Sequence, residues 1–486
     1  MAKRQIDIRR LRTEKRILRQ WAKRERSFPG DCARVERSGE PVPNPRSQEE
    51  IGLYHDPRSR RYATVDFDIA ELFRQAGKEV PTFLEAGPRR ELWFDPVQVN
   101  AAIVTAGGLA PGLNSVVHSI VSRHVNTYGL NPNAGSVIGI YDGFKGLLDI
   151  PGHKIELDPA ETIDWLREGG SNLGNVRYFH PESAGGLDGM VSRISQNLEL
   201  MAINILYVIG GDGSQEVAHR LARANPRIAV MGIPKTMDND ILWARRSFGF
   251  DTSVTQATRA INTLHFEAQS TRRVGILKFF GAESGFVVAH AALASGQVDL
   301  VLIPEAFLGL RADRFADYWD SLIRHLATIV TRAETNAHAI IVVAEGVETV
   351  LAEQGFSIEG RPVRCSAGGR PGNFVELLKK AIRKRVRNVR GETLSVFTNE
   401  PRHYIRSGPA NAHDQVFCER LGALAVDNAL AGFTDCMISD WLSEYVLVPL
   451  ELVVGGQKSV DVQGMFWKQV ENSTGQPNSP LSEGGS

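Results

Sequence analysis

Residues 202–213 read AINILYVIGGDG, and residues 227–236 read RIAVMGIPKT. Each is a short apolar run, rich in β-branched residues, that stops at glycine or proline and passes at once to polar groups. The same texture recurs in VNAAIVTAGG (99–108), RRVGILKFFG (272–281), DLVLIPEA (299–306) and HAIIVVAEGV (338–347), with longer helical stretches between them. A strand that is apolar on both faces must be covered on both faces, so this alternation predicts α/β architecture with mostly parallel sheets between helical layers. Ligands in such folds bind beyond the carboxyl ends of the strands, where these glycines and acids fall.

Outward from this block the texture changes. Residues 1–96 are charged and in places proline-rich, with no strong strand, and read as a basic N-terminal extension. Within it Ile8, Leu11, Ile17 and Leu18 recur roughly as one helix stripe, which predicts a helix whose Lys and Arg face solvent; an arm that contacts a polyanion or a partner subunit is the alternative. Residues 97–250 and 251–450 are taken as two α/β domains, with the chain free to cross back to the first near its end, and 451–486 as a tail. The tail's last stretch, ENSTGQPNSPLSEGGS, is polar and expected to be disordered. With 56 Lys and Arg against 56 Asp and Glu, net charge points to neither nucleic acid nor a membrane. No apolar run is long enough to span a bilayer. Four cysteines without a C-x-x-C pair fit free thiols in a reducing cytoplasm.

Three glycine-rich strand ends carry the chemistry. Gly107-Gly108-Leu109-Ala110-Pro111-Gly112-Leu113-Asn114 precedes a helical run, so its glycines let backbone N–H groups approach an anion at a helix start. Gly210-Gly211-Asp212-Gly213-Ser214 places an acid where a phosphate-bound Mg²⁺ would sit. Pro234-Lys235-Thr236-Met237-Asp238-Asn239-Asp240 sets two carboxylates beside a lysine on one turn. Phosphorylating an alcohol requires a base for the hydroxyl proton and positive charge for the moving phosphoryl group. Asp238 is the base candidate. Lys235 and Thr236 are within reach of phosphate oxygens, and Asp240 either orients Asp238's surroundings or holds the metal's water shell. A plain Asx-rich turn is the other reading of that segment. Gly169-Gly170-Ser171-Asn172-Leu173-Gly174-Asn175-Val176-Arg177 adds amide donors and one fixed charge.

In combination and in order, these motifs resemble the phosphofructokinase family from about Ala101 to Ser439. The resemblance also runs through GIYDGFKGL (139–147), FGFDTSVTQATRAIN (248–262), LIPEA (302–306), AEGV (344–347) and HYIRSGPANAHD (403–414). The long extension and the last of these look most like the ATP-dependent enzymes of plants and trypanosomatids. The resemblance implies two similar three-layer domains with the active site in the cleft between them. It implies Asp238 as the base toward the C1 hydroxyl of fructose 6-phosphate, Asp240 as its acidic companion, and Thr236 as a contact to the reacting groups. Asp212 is the Mg²⁺-associated acid. Gly107, Gly108, Tyr141, Arg177, Gly211, Gly213 and Ser214 fall in the ATP site. Phe280, Gly281, Glu345, His403 and Arg406 fall on the sugar side, with Arg273 lent by a neighbouring subunit, so a homo-oligomer (dimer or tetramer) is implied.

Gly213 stands where pyrophosphate-using members carry Asp, which leaves room for the α-phosphate of ATP, whereas Lys235 by itself points to pyrophosphate. The Gly-plus-Lys pair is that of the plant and trypanosomatid ATP enzymes. The expected activity is therefore ATP-dependent 6-phosphofructokinase. A pyrophosphate-dependent or other sugar-phosphate phosphotransferase and a non-catalytic regulatory subunit are the alternatives. One departure stands out: Ala282 replaces the family's Arg, and Lys278, Arg272 and Arg402 are the candidates to restore that charge.

Overall fold

A computed structural model describes residues 11–36, 40–149, 153–176, 186–281, 284–332, 337–366 and 372–480. In chain order its principal strands are β1 (Leu11–Arg12), β2 (Arg60–Tyr62), β3 (Thr82–Glu85), β4 (Asn100–Thr105), β5 (Ser136–Ile140), β6 (Lys154–Glu156), β7 (Ile205–Gly210) and β8 (Ala229–Pro234). They continue with β9 (Val274–Phe279), β10 (Leu300–Leu302), β11 (Ala339–Ala344), β12 (Val396–Asn399), β13 (Cys436–Trp441), β14 (Glu444–Pro449) and β15 (Gln457–Lys458).

Nine of them form one sheet, ordered β2-β3-β14-β13-β8-β7-β4-β5-β6, and four form a second, ordered β10-β11-β9-β12. The centre of the first sheet, β13-β8-β7-β4-β5, is parallel, and so is the whole of the second. Every residue of β7, β8, β9 and β11 is buried, which is why these runs carry no polar alternation. Successive residues feed opposite faces. Leu206, Val208 and Val230 enter one core, Ile205, Tyr207, Ile209 and Met231 the other. A third core surrounds the second sheet. After that sheet the chain returns to the first through β13, which lies beside β8.

Both ends of the chain differ from their sequence reading. The N-terminal stretch is built into the first sheet through β2 and β3. Leu11 lies in β1, paired with Gln457, and the helix begins only at Glu14, where Thr13 caps it by accepting from the Arg16 amide. Its buried stripe is Ile17, Leu18, Trp21 and Ala22, and Lys15, Arg16 and Arg19 face outward as expected; Ile8 lies outside the described residues. At the other end Met465–Thr474 is helical, and Trp467 and Val470 enter the core of the second sheet. Gln476 and Ser479 are buried by hydrogen bonds to β10 and to Tyr318, Trp467 and Glu471. Polar composition suggested disorder over 471–486, but in 471–480 the polar side chains find partners and pack, while 481–486 lie outside the described residues. Among the described residues no helix is long and apolar enough to cross a membrane.

Candidate functional site

The carboxyl ends of β4, β7 and β8 meet at a glycine cradle. Gly210 ends β7 and Gly211 caps the helix Asp212–Ala224. A Cβ on Gly210 would lie 2.3 Å from that of Ser214, so only glycine lets the helix start this close to the strand. Gly107 has φ +85°, and a Cβ there would sit 3.3 Å from Lys235 Nζ and 3.6 Å from Ser214 Oγ. Gly107, Gly211, Ser214 and Lys235 therefore converge on one space, with the helix's free N–H groups opening toward it. Lys235 is buried, and its ammonium donates to the Gly108 carbonyl. Gly213 lies in the helix's first turn beside Asp212.

A residue missed in the sequence organises this cradle. Gln215 is fully buried, and its Nε2 donates to the Gly210 carbonyl at 3.0 Å and the Ile233 carbonyl at 3.1 Å, tying the ends of β7 and β8. Tyr141 follows β5, one strand over, with its amide bonded to the His153 carbonyl. The 169–176 loop is drawn to the same end by Thr105 Oγ1, which donates to the Gly174 carbonyl at 3.0 Å. Asn114 and Asn172 exchange hydrogen bonds of 3.1 and 3.0 Å across the gap. Arg177 lies outside the described residues, as does Ala282.

The turn after β8 is held from several sides. Thr236 Oγ1 accepts from the Asp238 amide at 3.1 Å, and Asn239 takes φ +53°, a conformation Asn tolerates. The Ser247 hydroxyl donates to the Thr236 carbonyl at 2.6 Å, and the Ser247 amide to Asn239 Oδ1 at 3.1 Å. From the second sheet, Ser284 Oγ donates to the Asp238 carbonyl at 2.6 Å. From the tail, the Lys458 amide donates to the Asp240 carbonyl at 2.8 Å, and Gln457 Nε2 to Asp212 Oδ2 at 3.1 Å. Asp238 and Asp240 are half-buried as residues, and Asp238 Oδ1 itself is buried. Among the described residues no group of three or more His, Cys, Asp or Glu gathers as a metal cage.

On the facing side, β9 ends at Phe279 and runs into Phe280 and Gly281. Gly281 has φ +132°, and its carbonyl accepts the Gly346 amide at 2.9 Å, which lays β9's end beside Glu345 after β11. The guanidinium of Arg406 lies 4.8 Å and that of Arg402 5.9 Å from the Phe280 ring centroid. Arg402 is also 3.9 Å from Glu345 and 3.0 Å from Glu400. Phe280, Glu345, Arg402 and Arg406 thus form one cluster, with His403 exposed on the same short helix, Arg402–Arg406.

Of the three basic candidates, Arg402 alone is seen in this cluster. Lys278 is buried 3.6 Å from the buried Glu348, and Arg272 caps the helix before β9. Arg273 stands at the opposite end of β9 from Phe280, bonded to Glu267 at 2.9 Å and over the Phe397 ring. This chain therefore does not bring Arg273 into its own cluster.

Comparison with known proteins fits this architecture. The sequence profile described as phosphofructokinase matches residues 100–429. A Borreliella burgdorferi protein named ATP-dependent 6-phosphofructokinase is 36% identical over 402 residues, covering 81% of this chain and 85% of its own. A Trypanosoma cruzi protein of the same name is 32% identical over 487 residues, covering 96% and 92%. The structure of phosphofructokinase from Saccharomyces cerevisiae aligns with TM-score 0.57 at 20% identity, over 77% of this chain and 47% of that one. This chain spans just under half the yeast chain, and at that identity the likeness concerns the fold alone. With two-thirds of its length matched by the family profile and these relatives matched over 81–96% of it, the chain belongs to the phosphofructokinase family.

Proposed function

We propose that this protein is an ATP-dependent 6-phosphofructokinase, moving the γ-phosphoryl group of ATP to the C1 hydroxyl of fructose 6-phosphate. The observation that carries the reading is the Asp238 turn. It leaves the strand that ends at the glycine cradle, and it is bonded through Ser284 to the segment following Phe280 and Gly281. A phosphate chain in the cradle and a sugar at the Phe280 cluster would meet there.

Asp238 takes the C1 hydroxyl proton as the sugar oxygen attacks the γ-phosphorus, and the bond from that phosphorus to the β-phosphate oxygen breaks, releasing ADP. Lys235, the Gly107 and Gly108 backbone and the start of the helix Asp212–Ala224 face the phosphates. Arg406, Arg402, His403 and Glu345 hold the sugar phosphate and hydroxyls. Asp212 suits Mg²⁺, which kinases hold by one or two carboxylates, waters and phosphate oxygens. When bound, that ion would neutralise charge on the transferring group. Gly213 supports ATP, because a carboxylate at that point would repel the α-phosphate. Lys235 favours the second reading, pyrophosphate as donor. Arg273, turned away from the cluster, supports a homo-oligomer in which it serves a neighbouring subunit. Four free cysteines suit a reducing cytoplasm.

Purified protein given fructose 6-phosphate and Mg²⁺, with ATP or pyrophosphate in parallel, tests this directly. Turnover with ATP is expected, and none with either donor would refute it. Asp238→Asn should lower kcat by about 10²- to 10⁴-fold with sugar binding nearly unchanged. Turnover within a few-fold of the parent would remove Asp238 from the role of base.

A further inference from the structure

Two polar residues of the C-terminal tail, outside the span matched by the family profile, are bonded to the two acidic elements of the site. Gln457 is 6% exposed, and its Nε2 donates to Asp212 Oδ2 at 3.1 Å. Lys458 is 8% exposed and uses all three ammonium donors: on Asn239 Oδ1 at 3.1 Å, the Arg245 carbonyl at 3.2 Å and the Ala244 carbonyl. Its amide holds the Asp240 carbonyl. Two residues on, the Val460 amide donates to Glu305 Oε1 at 3.0 Å, and the same oxygen accepts the Gly285 amide at 3.0 Å. Gly285 adjoins Ser284, which holds the Asp238 carbonyl. The segment 457–460 therefore reaches the catalytic turn twice, directly and through Glu305.

We infer that Gln457 and Lys458 are positioning residues for phosphoryl transfer, Gln457 aiming the Asp212 carboxylate and Lys458 fixing the Asn239-Asp240 half of the catalytic turn. This rests on the assignment of Asp212 and Asp238 made above. The N-terminal extension locks the device in place. β1 pairs in parallel with β15, and Glu14 accepts the Trp243 amide at 3.3 Å from within the loop that Lys458 spans.

The residue types support positioning over space filling. A buried ammonium carries a desolvation cost that a hydrophobic side chain of like size would avoid. What the ammonium offers in return is three directed donors gathered on one short loop. Gln457 donates to Asp212 without neutralising it, so the acid keeps its charge. A displacement of about 1 Å at a reacting group can cost about 10²-fold in rate.

The test uses the full chain and the variants Gln457→Leu, Lys458→Met and Asp238→Asn side by side. Lys458→Met should lower kcat about 10- to 100-fold with the KM for fructose 6-phosphate within about threefold. Gln457→Leu should lower kcat at subsaturating Mg²⁺ and shrink the rise in unfolding temperature that MgATP gives the parent, while the rise given by fructose 6-phosphate persists. If Lys458→Met does not fold, Gln457→Leu, which removes no buried charge, decides alone. Parent-like kcat and MgATP response in the tail variants beside an inactive Asp238→Asn would overturn the inference, as would a loss confined to KM. A fully active Asp238→Asn would instead refute the assignment beneath it.

Discussion

Gln215 joins the strand end that carries Gly210–Ser214 to the one that carries Lys235–Asp240, so replacing it isolates the contribution of that tie. Methionine matches its length and flexibility and removes both donors. The Gly210 carbonyl would keep the Lys235 amide at 3.0 Å, so its loss falls within the ordinary range for one hydrogen bond, about 1 kcal/mol. The Ile233 carbonyl keeps the Gly210 amide across the β7–β8 ladder, so it too loses one of two donors, at about 1 kcal/mol. Against this, Gln215 Oε1 is buried without a hydrogen bond, and deleting it returns about 1 kcal/mol. The net expectation is a loss of about 1 kcal/mol, seen as a fall of about 2 °C in unfolding temperature. The kinetic consequence should be larger than that suggests, because the two halves of the site would no longer share a fixed separation. A fall in kcat of about tenfold is expected at unchanged oligomeric state. Differential scanning fluorimetry and steady-state kinetics on one preparation measure both. A variant that loses the stability and keeps kcat would show that Gln215 only supports the core.

That residue also marks where sequence reading stops. The strand ends were legible because β7 and β8 are apolar throughout and end in glycine or proline, and the chemistry was legible because Asp212, Lys235, Asp238 and Asp240 sit on those ends. Nothing in Gln215's neighbourhood distinguishes it from any helical glutamine. Its role appears only when Gly210 and Ile233, distant along the chain, are brought to one point. The tail was misread for a similar reason. Gln457, Lys458, Gln476 and Ser479 look like solvated residues until their partners, scattered from Asp212 to Glu471, surround them. Ala282 left three basic substitutes that composition could not rank. Packing separates them, since Lys278 is taken by Glu348 and Arg272 by a helix end, while Arg402 lies beside Phe280.

If Arg402 supplies the charge that position 282 lacks, Arg402→Met should raise the KM for fructose 6-phosphate by about tenfold, one charge-assisted contact, and leave the KM for ATP unchanged. Adding Ala282→Arg to that variant should recover most of the loss, and no recovery would separate the two positions. Glu305 gives a pH test. Its buried carboxyl is pushed up to about 7 by desolvation, against the pull of the Val460, Gly285 and its own amides. Because the folded value lies above the ordinary 4.5, the native state binds more protons than the unfolded one between those two limits, and stability must fall as pH rises from about 4.5 to 7. A shift of that size corresponds to about 3 kcal/mol over the whole window. Glu305→Gln keeps an oxygen for the amides and removes the titration, so its unfolding midpoint should be flatter than the parent's between about pH 5 and 7. Parallel profiles for the two proteins would mean that the tail is not held to Gly285 through a carboxyl that gains a proton on folding.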